Sequence, residues 1–226
     1  MIKFVFSFLM CFLSFHSVVA QKEKDSTFLQ LNLKFGSQPL QLNKTYISKK
    51  NDTLQVSVLK FYISNLQFDY SDNSFASSRS YHLVDAENPK SLRIPIENNN
   101  KMITTIQFQI GIDSTASVSG ALAGDLDPAN GMYWAWQSGY INTKIEGTSP
   151  SCKTRKNQFQ FHIGGYKKPN YAMRNCILHP NTNLEITVDI AELFSNINLQ
   201  QTNSVMIPGI KAMELADYCL TMFKIE

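Results

Sequence analysis

Histidine is scarce in this chain, with four residues in 226. One of them, His16, lies in an apolar leader, so His82, His162 and His179 carry every reading that needs an imidazole. There is no serine-centred elbow, glycine-rich phosphate loop or cysteine pair at zinc spacing, so a hydrolase has no nucleophile–base arrangement to rest on. Like charges never gather in a block. The 21 basic and 18 acidic residues are interspersed, which argues against nucleic acid or an anionic membrane as partner.

The longest apolar stretch is short and comes first. "MIKFVFSFLMCFLSFHSVVA" opens with Lys3, runs apolar from Phe4 to Phe15 and ends Val18-Val19-Ala20 before "QKEKD". That pattern predicts a secretory signal over residues 1–20 with cleavage after Ala20. It falls short of the ~20 apolar residues a spanning helix needs, so no transmembrane segment is expected after cleavage. Met10 stands before Cys11 where a lipoprotein signal requires a small residue. Residues 21–226 are then read as one β-rich domain, exported to the periplasm or cell surface.

Cleavage leaves three cysteines, Cys152, Cys176 and Cys219. In an oxidising compartment an odd count implies one bridge and one free thiol. A Cys152–Cys176 bridge is expected, because it would staple the excursion that contains His162. Cys219, in "ADYCLTMF", reads as a small buried hydrophobe.

What the chain has in quantity is two-residue alternation. "FLQLNLKFG", "DTLQVSVLKFYISNLQFDY", "ITTIQFQIGID", "NQFQFHIGGY" and "NLEITVDI" all alternate as half-buried strands do, with Ser64-Asn65 a point of interruption in the second. Clusters of Gly, Asn, Asp and Pro separate them. The pattern predicts an all-β fold, an antiparallel β-sandwich with long loops. Helix is expected only in two short pieces, around Ala191–Ser195 and Gly209–Tyr218.

Three places invite a functional reading. His162 ends a strand and is followed by Gly164-Gly165, which permit a bend or a close approach to the backbone. Phe159, Phe161 and Ile163 take one parity and Gln160 and His162 the other, so His162 is expected off the core face. The loop "GDLDPANG" offers Asp125, Asp127 and Asn130, oxygen donors of the calcium type, although it misses the register of a calcium loop and carboxylates beside Pro128 commonly form turns. "GMYWAWQSGY" holds both tryptophans. On a strand, Trp134 and Trp136 would share a face and, with Tyr133 and Tyr140 nearby, could form a platform for sugar rings, a metal-site wall or core.

The blocks "LKFYISNLQF", "YHLVDAENPKSL", "FQIGIDS", "GDLDPANGMYWAWQSGYINTKIEG" and "FQFHIGGY" occur in an order that resembles the MbnP-like family. These are secreted proteins related to the copper-binding partner encoded beside methanobactin genes. The resemblance runs from Phe28 to Phe223 and is most specific over Gly131–Gly147 and Phe161–Tyr166. It implies a periplasmic or surface β-rich protein, which is read here as non-enzymatic. Copper-binding relatives hold the metal with histidines and an oxidised tryptophan, kynurenine, made by a secreted diheme enzyme of the MauG type. Trp134, Trp136 and His162 match by position. Copper-binding members place a further histidine in the loop before the tryptophan block, and here "GIDSTASVSGALAGDLDP" has none. His82 or His179 would have to substitute, or else Met132, Met173 or a carboxylate. Two functions therefore stand side by side: a copper-associated protein, and a cell-envelope module that binds a glycan or protein through an aromatic surface without metal.

Overall fold

The computed structural model describes residues 27–97, 101–137, 139–180 and 184–225, so the expected signal over 1–20 lies outside them. Strands β1 (Thr27–Phe35), β2 (Gln38–Pro39), β3 (Thr45–Ile47), β4 (Thr53–Tyr70), β5 (Phe75–Ser77), β6 (Tyr81–Asp85) and β7 (Arg93–Ile96) come first. Then follow β8 (Ile103–Ile110), helix α1 (Ser114–Val118), β9 (Ile141–Thr148), β10 (Gln158–Gly164), β11 (Arg174–Leu178) and β12 (Glu185–Asp189). Helix α2 (Ile190–Asn196), β13 (Ser204–Val205), helix α3 (Ile210–Leu220) and β14 (Phe223–Ile225) complete the order. They form two curled sheets. One runs β14-β12-β1-β2, with β7 also on β1; the other runs β11-β8-β4-β9-β10-β13, with β3, β5 and β6 along the free edge of β4.

The long strand β4 organises the larger sheet, and its hydrophobic phase shifts twice. Leu54 and Val56 are buried, then Leu59, Phe61 and Ile63, then Leu66, Phe68 and Tyr70. Each shift coincides with a register break, between Val56 and Val58 against β9 and between Ser64 and Gln67 against β8. An extra residue in one strand flips every later side chain to the other face, and the bulge restores the apolar set to the core. Asn65 adopts the left-handed φ of 53° that the second break needs. Ser64-Asn65 thus bends the strand without ending it.

The core between the sheets takes Leu29 and Leu31 of β1, Phe61 of β4, Phe159 and Phe161 of β10, Phe194 of α2 and Phe223 of β14. The expected all-β sandwich with short helices is found, and two parallel ladders join its antiparallel ones. β1 pairs with β12 in parallel, and so does β10 with β13. Parallel neighbours require a crossover, and the chain supplies one in each case by visiting other strands before it returns. Helices α2 and α3 fall where they were expected, and α1 is additional.

Candidate functional site

β8 and β9 lie on the same edge of β4, β9 beside Gln55–Phe61 and β8 beside Ile63–Tyr70. The sheet therefore forks at Tyr62. At the fork Gly111 donates its N–H to the Tyr62 carbonyl at 3.0 Å, and Asn142 accepts from the Ile112 N–H at 3.0 Å. A Cβ on Gly111 would stand 2.3 Å from the Asn142 carboxamide carbon, so only glycine fits there.

From the fork, residues 111–140 cross the outer face of the larger sheet and bury a second apolar cluster. Its members include Tyr62, Ile112, Leu126, Met132, Trp134 and Tyr140. Tyr62 donates to the Asp125 carbonyl and Tyr140 to the Leu126 carbonyl, both at 2.9 Å. Burial, with Tyr140 and Asp125 nearby, pushes the Tyr62 hydroxyl well above the ordinary phenol range. Lys60 and Lys144, opposed across β4 and β9, reach the carbonyls of Asn130 and Gly131 at 3.4 Å. Two sheet cations thereby hold the far end of the excursion.

The tryptophans stand in a hairpin turn, which corrects the reading of both indoles on one strand. Tyr133 and Tyr140 bridge, and the Trp134 N–H bonds the Gly139 carbonyl at 2.9 Å, leaving Trp136 in the turn beyond. The two rings still come together, 6.1 Å apart and tilted by 55°. Trp134 is buried at 6% exposure, whereas Trp136 is 63% exposed. Tyr140 sits inside with Tyr62 and does not share a face with Trp136. Trp134 lies on Gly164: a Cβ there would be 2.7 Å from Cη2 and Cζ3 of the indole.

Gly164 and His162 share one face of β10. His162 is off the core face, as its parity predicted, yet it is covered, at 8% exposure. It bonds Glu146 Oε1 through Nε2 at 2.6 Å and stands opposite Lys144, whose Nζ is 3.5 Å from the same carboxylate oxygen. Burial lowers the imidazole pKa and Lys144 adds to that, while Glu146 opposes both.

The other candidate ligands lie elsewhere. His82 pairs with Ile63, a core-facing position, so it occupies the opposite face of the sheet from His162. Burial lowers its pKa, partly offset by Asp125. His179 follows β11, with Nδ1 3.5 Å from Thr105 Oγ1. Met132 is buried in the second cluster, and Met173 is buried just before β11. In the calcium-like loop the side chains of all three candidate ligands are taken up by backbone groups. Asp125 accepts from the Leu83 N–H, Asp127 from the Ala129 N–H, and Asn130 turns its NH2 toward the Gly124 and Asp125 carbonyls. Among the described residues no three His, Cys, Asp or Glu side chains converge as a metal cage.

The expected disulfide is absent, and Cys152, Cys176 and Cys219 are all buried free thiols. Cys152 follows Thr148, which pairs with Gln55. Cys176 pairs with Phe108, next to Gln107, which pairs with Gln67. The two cysteines thus flank opposite ends of β4, on the order of 30 Å apart along an extended strand. A bridge tolerates about 7 Å between Cα atoms.

Outside the tryptophan pair a cleft of about 440 Å³ opens. Trp134 and Trp136 line it with Gln137, Tyr166, Lys167, Lys168, Asn170, Ile207 and Pro208. Sequence reasoning missed Lys144, Glu146 and the two cleft lysines. The matched parity of Lys144 and Glu146 in "INTKIEG" was a signal for one shared sheet face, but their partner strand was not.

The MbnP family model matches residues 24–207. Among solved structures, MbnP from Methylosinus trichosporium superposes with a TM-score of 0.58 at 11% sequence identity, covering 81% of this chain and 82% of that one. No curated protein matches the chain. The family model spans β1 to β13, with the tryptophan turn and the histidine strand among them, and the chain belongs to the MbnP family.

Proposed function

We propose that this chain is an exported, non-enzymatic, copper-associated binding protein of the MbnP family, with His162 and the Trp134–Trp136 pair at its site. The observation that carries this reading is the contact of Trp134 with Gly164, which sets the tryptophan turn on the same sheet face as His162. A carboxylate on Nε2 keeps the ring proton there and leaves Nδ1 its lone pair, as is common among metal-binding histidines. The fit is partial. Lys144, 3.5 Å from the carboxylate that His162 bonds, opposes added positive charge there.

A second donor would come from oxidising one indole. In that step two equivalents of peroxide each deliver one oxygen atom, to C2 and to C3, and are reduced to water as the C2–C3 bond breaks; water then cleaves the N-formyl group, C2 leaves as formate, and kynurenine remains with an aryl amine and a carbonyl. A secreted diheme MauG-type enzyme is the expected catalyst. Low-coordinate Cu(I) suits imidazole ligation. Recombinant chain with intact indoles should bind Cu(I) weakly against a competing chelator, and native chain, mass-mapped for kynurenine, should bind it more tightly. His162→Ala should abolish the native binding; equal affinity in wild type and variant would remove His162 from the site.

A second reading has its own observation. Trp136 stands 63% exposed at the lip of the cleft, so this face offers a ligand surface that needs no metal.

A further inference from the structure

We infer that the cleft beside Trp136 binds an acidic oligosaccharide, with the indole and Tyr166 as ring platforms and Lys167 and Lys168 as carboxylate partners. This rests on the second reading above, a metal-free ligand face, and not on copper. Three observations lead to the ligand class. The exposed indole meets the apolar face of a flat ring, and Lys167 Nζ hangs 5.3 Å over the Tyr166 ring, so a cation already borders the platform. Among the described residues no acidic side chain lines the cleft, so none of them neutralises either ammonium from within it. Gln137 and Asn170 add amide groups able to pair with hydroxyls.

Size and shape favour a saccharide over a docked protein. A volume of about 440 Å³ falls among small-ligand sites, roughly 300–1,000 Å³. A stable protein interface needs ~800 Å² from each partner, far more than this lining presents. The mouth is open beside Trp136, which suits a chain ligand that extends past the site.

The test uses the fact that both tryptophans of the chain line this cleft, so intrinsic fluorescence reports the site directly. The full chain with intact indoles is titrated with a galacturonic acid trisaccharide, with neutral galactotriose and with an acidic peptide bearing one phenylalanine. The trisaccharide acid should shift the emission, bind about tenfold or more tighter than the neutral sugar, and weaken as salt rises. Trp136→Ala should abolish binding, and Lys167→Gln with Lys168→Gln should weaken it about tenfold, as loss of charge-assisted hydrogen bonds does. Circular dichroism checks that each variant folds. If the neutral sugar or the peptide binds as well or better and Trp136→Ala removes that binding, the ligand face stands and the acidic-saccharide assignment falls. If no probe binds in any arm, both fall.

Discussion

At the scale of single residues, the two tryptophans illustrate how burial separates identical side chains. Trp134 fills the second cluster against Gly164, and its loss leaves a cavity under the excursion, so Trp134→Ala should cost about 3–5 kcal/mol in denaturant unfolding. Trp136 touches little but its neighbour, and Trp136→Ala should stay within about 0.5 kcal/mol of wild type. Comparable losses for both would mean that the turn folds as a unit around the pair.

The thiols and His162 make further predictions at this scale. Burial raises Cys152 to about 11 and Cys176 and Cys219 to about 12, so little thiolate exists at neutral pH. Folded protein should resist alkylation, and denaturation without reductant should expose all three thiols of residues 21–226. Recovery of a linked Cys152–Cys176 peptide would contradict the fold. For His162 the folded pKa lies below the ordinary 6.5 because burial disfavours the cation. The unfolded chain therefore takes up a proton first as pH falls. Stability should be full above about 6.5, decline as pH drops toward the lowered folded value, and level off below it. His162→Gln should flatten that part of the profile.

At the scale of elements, alternation was readable wherever one strand face met the core. The β1, β8, β10 and β12 spans and the length of β4 follow directly from it. Within β4 even the phase shifts at Ser57-Val58 and Asn65 are written in the sequence, although which partner strand bulges against them is not. The parity of Phe159, Phe161 and Ile163 placed His162 on the outer face, but nothing local announced that a 30-residue excursion, residues 111–140, would cover that face. The tryptophan pair failed as a strand because Tyr133 and Tyr140 bridge early and force Trp136 into the turn. The disulfide failed because chain proximity says nothing about which end of β4 each cysteine flanks.

The contact between two of these elements gives a sharp test. Alanine at Gly164 would place its Cβ 2.7 Å from both the Trp134 ring and the Tyr140 carbonyl oxygen, neither of them the loose end of a flexible side chain. Overpacking of this kind costs about 1–3 kcal/mol. Gly164→Ala should lower the unfolding midpoint and shift tryptophan emission to the red as Trp134 is lifted off β10. Gly209→Ala is the control, since nothing lies within 4 Å of a Cβ there. Equal effects from the two substitutions would detach Trp134 from the histidine strand and with it the argument for a shared site.

At the scale of the whole molecule, two apolar cores of unequal extent share one sheet. The larger lies between the sheets and is reinforced by α2, α3 and β14; the smaller lies on the outer face and is closed only by the excursion. The excursion is tied down by Tyr62 and Tyr140, by Asn142 at the fork and by two lysines at long hydrogen-bonding distance. Regions with fewer buried contacts open at lower free energy than the global fold. Amides of residues 112–137 should therefore exchange through a sub-global opening while β4, β9 and β10 stay protected. Replacing Lys60 and Lys144 together by methionine should lower that opening energy with little change in the global midpoint, because the stems remain and the carbonyl ties are lost together with two partly exposed ion pairs, Lys60–Asp85 and Lys144–Glu146, each worth about 1 kcal/mol or less. Exchange of the excursion and of β4 in one step would show a single cooperative unit, and the aromatic site would then be as rigid as the core beneath it.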